Sequence, residues 1–239
     1  DNYRDYMFTA MGRMDYTPED CKAFHDSVKM ETVPILDKIA RHRKEALGVD
    51  RLRPWDKAVD ATGKPPLKPF GNPDELVEKT ISCFRRLDPF FADCLSDMRN
   101  RGFLDLDSRK GKAPGGYNYP LAETGAPFIF MNASSTLRDL VTMVHEGGHA
   151  VHSYLMRDLE LNNFRQTPSE IAELASMTME LLTMEHWDVF FENEADYKRA
   201  KREHLEQIIE TLPWVAAIDK FQHWIYEHPA HQREERHDS

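Results

Sequence analysis

The feature that most constrains this chain is the run His-Glu-Gly-Gly-His at residues 145–149, inside a segment whose apolar side chains recur every three or four residues. That periodicity predicts an amphipathic helix over about residues 135–157. Two histidines four residues apart project from one face of a helix, about one turn apart. His145 and His149 can therefore reach a single zinc ion, and Glu146 can act as general base on a water molecule there.

The third ligand is not decided by the motif itself. A catalytic zinc ion takes three protein ligands and keeps one open position. The motif that adds a third histidine requires it six residues after His149, where this sequence has Leu155. The other route is a carboxylate from a following helix, and the helix predicted over about 168–193 offers Glu170 and Glu173. Helical spacing alone leaves both glutamates open as the third ligand.

Gly147 and Gly148 stand inside the predicted motif helix. Each glycine costs about 1 kcal/mol of helix stability relative to alanine. Helix propensity therefore does not explain the pair. We expect the two glycines to let another backbone approach closely, either from a neighbouring element or from a bound substrate.

Composition narrows the class of protein. The chain has 239 residues, of which 41% are hydrophobic and 30% charged, which fits one large domain or two small ones. A net charge of −10 argues against nucleic acid as a partner. We expect no membrane partner, because no apolar run approaches about eighteen residues. Three cysteines, an odd number, predict a reducing, cytoplasmic location.

The pattern along the chain predicts a mainly α fold. A capped helix should run from Thr17 to Gly48, with a kink at Pro34, followed by a proline-rich connector over 50–73. A second long helix is expected over 74–100, bent at Pro89.

The rest of the chain should contain a small sheet beside the motif helix. Residues 117–121 and 127–132 are predicted to form two short strands. A last helix is expected over 196–227, with a kink at Pro213. We therefore expect a multi-helix, zincin-like catalytic domain, with a helical part over 1–102 and a part over 103–239 that carries the hairpin and the two ligand helices.

The motifs together carry a resemblance to a known family. Segments along nearly the whole chain contribute to it: Asn2–Tyr6, Leu52–Asp56, Gly115–Tyr117, Pro127–Asn132, His145–His152, Ile171–Ser176, Glu180 and Phe221–Trp224. They resemble the oligoendopeptidase F and thimet-oligopeptidase family of zinc metallopeptidases, and the oligoendopeptidase F branch more closely. In that family a hydrophobic-hydrophobic-Glu-x-x-Ser segment follows the HExxH helix.

The resemblance implies a ligand set and a reaction. His145, His149 and Glu173 would hold one zinc ion per chain, and Glu146 would be the general base. The implied activity is that of a metalloendopeptidase, which hydrolyses internal peptide bonds of oligopeptides. The family's fold encloses a deep channel between two mostly helical halves, which would admit oligopeptides and exclude folded proteins.

Further candidates surround these four residues. His152 lies one turn beyond His149, and we interpret it as a side chain that supports a ligand or lines the cleft, with a structural role and a ligand role as alternatives. Glu180 and Ser176 share a helical face with Glu173, and Glu180 is either a hydrogen-bond acceptor for a ligand histidine or a surface residue. The last candidates are Gly115, Gly116 and Tyr117, which suit a close approach of substrate or a tight turn.

One departure from the family qualifies the prediction. Family members have further regions before and after the part present here, including groups that are thought to stabilise the oxyanion. We therefore expect this chain to be the catalytic core without those flanking regions. The alternative hypotheses are a zinc-binding but catalytically incomplete peptide-binding fragment, and a non-peptidase zinc hydrolase. The sequence predicts no oligomeric state.

Overall fold

The computed structural model describes residues 2–238, which form nine α-helices and one three-stranded sheet. The helices are α1 (Tyr3–Ala10), α2 (Pro18–Ser27), α3 (Val33–Leu47), α4 (Pro73–Leu87), α5 (Pro89–Asn100), α6 (Leu137–Met156), α7 (Ser169–Thr183), α8 (Glu194–Glu227) and α9 (Glu235–Asp238), and the strands are β1 (Leu104–Asp107), β2 (Tyr117–Leu121) and β3 (Ala126–Ala133). A π-helical turn covers Val28–Thr32, and 3₁₀ turns cover Pro54–Lys57, Asn162–Arg165 and Met184–Phe190. The predicted mainly α class with a small sheet is confirmed. None of the described helices is both long enough and apolar enough to cross a membrane.

The chain divides into two compact units. The first combines residues up to Pro65 with residues from Glu203 onward, and the second is Pro66–Arg202. The unit Pro66–Arg202 contains α4 to α7, the whole sheet and the HExxH segment. The division at residue 102 that the sequence suggested stays a prediction.

The core of the unit Pro66–Arg202 lies directly behind the HExxH helix. Leu76, Phe84, Leu95, Ile129 and Val144 are each at most 1% exposed, and they come from α4, α5, β3 and α6. Burying a side chain of this size stabilises the fold by about 1.5–3 kcal/mol. The helix that carries the motif is therefore anchored by its apolar face, which leaves its polar face available for chemistry.

The sheet has the strand order β1-β3-β2. Strand β2 pairs antiparallel with β3, with Tyr117 opposite Phe130, as the predicted hairpin requires. Strand β1 runs parallel to β3, with Leu104 opposite Ile129, and the sequence analysis missed it. Its four residues are too few for an alternating pattern to be distinctive.

A capping box fixes the start of α6 immediately after β3. The Thr136 hydroxyl accepts a hydrogen bond from the Asp139 backbone N–H, and the Asp139 carboxylate accepts one from the Thr136 N–H at 2.8 Å. Such a cap stabilises a helix by about 1 kcal/mol. It also fixes the residue at which the helix that carries His145 begins.

The helix predicted from Thr17 to Gly48 is confirmed, with the distortion near Pro34. A capping box at Thr17 starts it, and Gly48 ends it in the left-handed conformation with φ +65°. A proline cannot donate to the ladder of hydrogen bonds, and the π-helical turn ends at Thr32, shortly before Pro34.

The prediction of one long helix over 74–100 is wrong. The chain forms two helices, α4 and α5, separated by Asp88 in an extended conformation. The Asp88 carboxylate caps α5 through the Phe90 N–H at 2.8 Å, and Pro89 begins the new helix. An N-cap followed by proline is a helix start, so the proline marks a break and not a bend.

Candidate active site

Three side chains predicted as metal ligands lie together. His145 and His149 project from α6, and their rings are 4.9 Å apart between centroids. On α7, Glu173 places Oε2 at 3.3 Å from His145 Nε2 and Oε1 at 3.8 Å from His149 Nε2. One ligand atom from each residue lies within 4.8 Å of the other two.

The geometry favours Glu173 over Glu170 as the third ligand. Within the described residues, the group that includes His145 and His149 contains Glu173 and not Glu170. The Glu173 side chain is 47% exposed, whereas those of the two histidines are 21% and 18% exposed. The site is therefore open to solvent on the Glu173 side.

The expectation that the glycine pair allows a close approach is confirmed for neighbouring elements. A β-carbon on Gly148 would lie 2.8 Å from Ser176 Cα and 3.1 Å from the Ala175 carbonyl oxygen, so the backbone of α7 lies against α6 at this point. A β-carbon on Gly147 would lie 2.6 Å from Cζ of Phe84 on α4. Only glycine leaves room for this spacing, which brings Glu173 of α7 to the histidines of α6.

Two neighbours orient the ligand side chains. Glu180 Oε1 lies 2.6 Å from His145 Nδ1, and a carboxylate there accepts a hydrogen bond from a protonated Nδ1. That tautomer leaves the Nε2 lone pair facing Glu173. The fully buried Ser176 hydroxyl lies 3.1 Å from Glu173 Oε2 and 3.0 Å from the Glu173 carbonyl oxygen.

The two histidines differ in their affinity for a proton. Burial lowers the pKa of His145, but the hydrogen bond to Glu180 and the negative charges of Glu180, Glu146 and Glu173 outweigh it and raise the pKa overall. Burial and the nearby His145 lower the pKa of His149. The carboxylates of Glu180, Glu146 and Glu173 therefore surround His145, and they give the site a net attraction for positive charge.

Glu146 is buried although it carries an ionisable group. It is 6% exposed, and its Oε2 has no hydrogen-bond partner among the described residues. Burial raises the pKa of Glu146 to about 7, against the opposing effect of His145. Asn118 of β2 donates from Nδ2 to the Glu146 carbonyl oxygen at 3.4 Å, which links the strand to the motif helix.

The remaining candidates do not join the ligand cluster. His152 lies on α6 one turn after His149, and its charge lowers the pKa of His149. Gly115, at φ +103°, and Gly116 lead into β2, and a β-carbon on Gly116 would lie 3.2 Å from Thr142 Cγ2 of α6. Tyr117 is 48% exposed, so its ring is available to a ligand.

Two residues of the site were missed by sequence analysis. Asn118 lies in the predicted strand, where an isolated asparagine gives no signal of its contact with the motif helix. Phe84 lies on α4, and a periodic apolar residue is ordinarily core. The signal for Phe84 was the glycine at 147, which predicted a close neighbour without identifying it.

The residues present fit a zinc ion. Two imidazoles and one carboxylate are a common ligand set for catalytic zinc. Ligands bound at about 2.0–2.1 Å in a tetrahedral arrangement lie roughly 3.3 Å apart, and His145 Nε2 and Glu173 Oε2 are 3.3 Å apart. Glu146 Oε2 is buried and has no hydrogen-bond partner among the described residues. A water molecule or a substrate bound in the site would supply one.

Several known proteins are similar to this chain in sequence. The chain is 36% identical over 153 residues to the chromosomal oligoendopeptidase F of Lactococcus lactis subsp. cremoris, and the match covers 64% of this chain and 25% of that protein. Oligopeptidase PepF of Bacillus subtilis strain 168 is 29% identical over 157 residues, which cover 64% of this chain and 22% of that protein. This chain therefore spans about a quarter of these relatives.

Solved structures match over nearly the whole chain. A crystal structure described as an oligoendopeptidase F from Bacillus anthracis strain Ames superposes with a TM-score of 0.92 at 30% identity, over 99% of this chain and 43% of that one. PZ peptidase A with an inhibitor gives a TM-score of 0.88 at 33% identity, over 95% and 40%. The model of peptidase family M3 matches residues 1–239. The chain belongs to peptidase family M3.

Proposed function

We propose that this chain is the catalytic core of a zinc-dependent endopeptidase that hydrolyses internal bonds of oligopeptides. The observation that carries the proposal is the meeting of His145, His149 and Glu173 within 4.8 Å beside the buried Glu146. Membership of peptidase family M3 supports peptide hydrolysis. The names of the relatives, oligopeptidase and oligoendopeptidase, support oligopeptides as substrates.

In this proposal His145, His149 and Glu173 hold the zinc ion. When bound, zinc polarises a carbonyl oxygen and lowers the pKa of a coordinated water. Glu180 keeps the proton of His145 on Nδ1, and Ser176 holds Oε2 of Glu173, so the ligand atoms are preorganised.

Glu146 carries the proton transfers. Its carboxylate takes a proton from the attacking water as the water oxygen bonds to the scissile carbonyl carbon. The same carboxyl then gives this proton to the leaving amine nitrogen as the C–N bond breaks. Burial raises the pKa of Glu146, and the charge of a bound zinc ion would lower it again, so Glu146 would start as the carboxylate that takes the proton. Burial of Glu146 also keeps bulk water from competing for that proton.

Strand β2 is our candidate for holding the substrate backbone. It is an edge strand in the order β1-β3-β2, so its outer edge can pair with an extended peptide. Asn118 ties this strand to the motif helix, and Tyr117 and Tyr119 are exposed. Pro120 has no N–H to offer, so pairing would use residues 117–119.

A cleavage assay with matched variants tests the proposal. Glu146→Gln should keep zinc and lose about 10²–10⁴-fold in the rate of cleavage of a quenched-fluorescent oligopeptide. Glu123→Gln removes the same charge from the exposed β2–β3 turn and should cleave at the wild-type rate. His149→Ala should lose both zinc from this site and cleavage. Full activity of Glu146→Gln would remove Glu146 from the mechanism.

The same assay separates the peptidase from an inert zinc-binding fragment. The 239-residue chain and a longer version with flanking regions like those of the relatives should be compared at equal zinc loading. Cleavage by either version, lost on Glu146→Gln, supports the peptidase. Zinc binding without cleavage in both versions supports a peptide-binding protein.

A cytoplasmic setting is part of the proposal, because Cys21, Cys83 and Cys94 are all free thiols.

A further inference from the structure

A second cluster of metal-ligand side chains lies in the other compact unit, which combines residues up to Pro65 with residues from Glu203 onward. Cys21 on α2 faces Asp219 and His223 on α8, and one ligand atom from each residue lies within 4.8 Å of the other two. Asp219 and His223 are four residues apart, so they share a helical face as His145 and His149 do.

The histidine of this cluster is buried without full hydrogen bonding. His223 is 6% exposed, and its Nδ1 is buried with no hydrogen-bond partner among the described residues. A buried ring nitrogen without a partner costs about 1–3 kcal/mol unless something satisfies it. The other nitrogen, Nε2, lies 3.5 Å from Asp219 Oδ2.

A second buried histidine holds the carboxylate in place. His25 Nε2 lies 2.7 Å from Asp219 Oδ2, and His25 is 7% exposed. Ligating carboxylates in metal sites are commonly hydrogen-bonded by such a neighbour, which fixes their orientation. The Asp219 carboxylate is thus oriented by one histidine and lies beside another.

The donor set selects the class of cation. A thiolate, a carboxylate and an imidazole suit a borderline ion such as zinc, whereas magnesium and calcium require oxygen ligands. Burial and Asp219 raise the pKa of the Cys21 thiol, but a bound zinc ion would deprotonate it, and the resulting thiolate with the Asp219 carboxylate would balance a charge of +2. The nearby cation Arg4 is paired with Asp5 and Glu227, so its charge is compensated.

We propose that Cys21, Asp219 and His223 form a second zinc site, which fastens α2 to α8. The site is separate from the ligands of α6 and α7, and it does not depend on peptidase activity. Its thiolate distinguishes it chemically, because the first cluster holds only nitrogen and oxygen donors.

Cobalt(II) substitution of the full chain tests the proposal. Cobalt bound to a thiolate gives a charge-transfer absorption in the near ultraviolet, which histidine and carboxylate ligands do not give. The band is expected in the wild type and in His149→Ala, and it should disappear in Cys21→Ser. Cys94→Ala, which removes a buried thiol of α5, should keep it. A wild type without the band, or a band that survives Cys21→Ser, would overturn the proposal.

Zinc stoichiometry and thiol protection give independent readouts. The wild type should bind about two zinc ions, and both Cys21→Ser and His149→Ala should bind about one. In the unmodified wild type, saturating zinc should slow alkylation of Cys21 by at least about tenfold. One zinc per wild-type chain together with unprotected Cys21 would leave only a hydrogen-bonded His25–Asp219–His223 network, and would refute the site. If zinc bound at Cys21, Asp219 and His223 but not at His145, His149 and Glu173, the result would count against the proposed peptidase and not against the second site.

Discussion

The contact between α6 and α7 at Gly148 gives the sharpest prediction. In Gly148→Ala the new β-carbon would lie 2.8 Å from Ser176 Cα, 2.9 Å from Met179 Cβ and 3.1 Å from the Ala175 carbonyl oxygen. Two of these three atoms belong to the backbone of α7. An ordinary contact of a β-carbon needs at least about 3.4 Å, so the two helices must separate by roughly 0.6 Å to relieve the contact with Ser176 Cα fully.

That separation is large on the scale of metal coordination. Metal–ligand distances tolerate only about 0.2 Å of deviation, and Glu173 lies on the helix that moves. We expect zinc affinity at this site to fall by about 10–100-fold. Overpacking should also cost about 1–3 kcal/mol of unfolding free energy, although alanine gains about 1 kcal/mol over glycine in helix propensity.

Gly147→Ala is the matched control. Its β-carbon would meet the Phe84 ring on α4 at 2.6 Å, and no backbone atom of α7 is among its near contacts. This variant should lose stability but retain zinc affinity, and adding Phe84→Leu should restore part of the stability. Denaturant unfolding with chelator present gives the stability of each variant. Competition with a chromophoric chelator gives the affinity, in a Cys21→Ser background so that one site reports. If Gly148→Ala bound zinc as tightly as the wild type and unfolded no more easily, the reasoning would be refuted.

Three further predictions concern the ligand carboxylate, the buried thiols and the sheet. Ser176→Ala removes the hydroxyl beside the ligand carboxylate of α7, so zinc affinity should fall by about tenfold in the same titration; an unchanged affinity would contradict a positioning role. Burial raises the pKa of Cys83 and of Cys94 to about 12, above the ordinary value of 9.0, so the folded chain keeps both thiols protonated. The resulting stability is fully present below pH 9.0 and is lost as the pH rises towards about 12, so the unfolding midpoint should drop as the pH rises above about 9. Chains with both cysteines changed to alanine should show a shallower drop. The side chain of Lys112 is 1% exposed, and it donates to the Met131 and Asp107 carbonyl oxygens. Lys112→Met should therefore lower the free energy of unfolding by about 2–4 kcal/mol, measured by denaturant unfolding. Lys110→Met, at an exposed position, should lower it little.

The parts of the fold that the sequence predicted are those specified by local physics. The helix from Thr17 to Gly48 has a capping box at one end and a left-handed glycine at the other. The hairpin of β2 and β3 has a glycine turn at Gly125, with φ +67°. In each case a few adjacent residues restrict the backbone, so the element can be predicted without its neighbours.

The parts that failed depend on partners distant in sequence. Strand β1 exists because β3 pairs with it, and Lys112 joins the two strands by donating to carbonyl oxygens on both. A proline inside a periodic segment fits either a bend or a break, and the prediction of a bend at Pro89 is wrong. The aspartate immediately before it is the signal for a new helix, and it was available in the sequence.

For the candidate site, helical spacing predicted the two histidines of α6 as candidate ligands but did not choose between the two glutamates on α7. Glu170 and Glu173 are nearly equivalent on a helical wheel. Which of the two glutamates reaches the histidines depends on the point along α7 at which it crosses α6. The backbone contact between Gly148 and Ser176 sets that crossing point. Gly148 and Ser176 are not themselves metal ligands in the proposed site. An HExxH sequence with a larger residue at position 148 would therefore keep its two histidines and its glutamate base, but the third ligand would be held too far away. The five-residue motif is thus necessary for this site, while the small residue inside it and the serine opposite determine whether a third ligand can reach the metal.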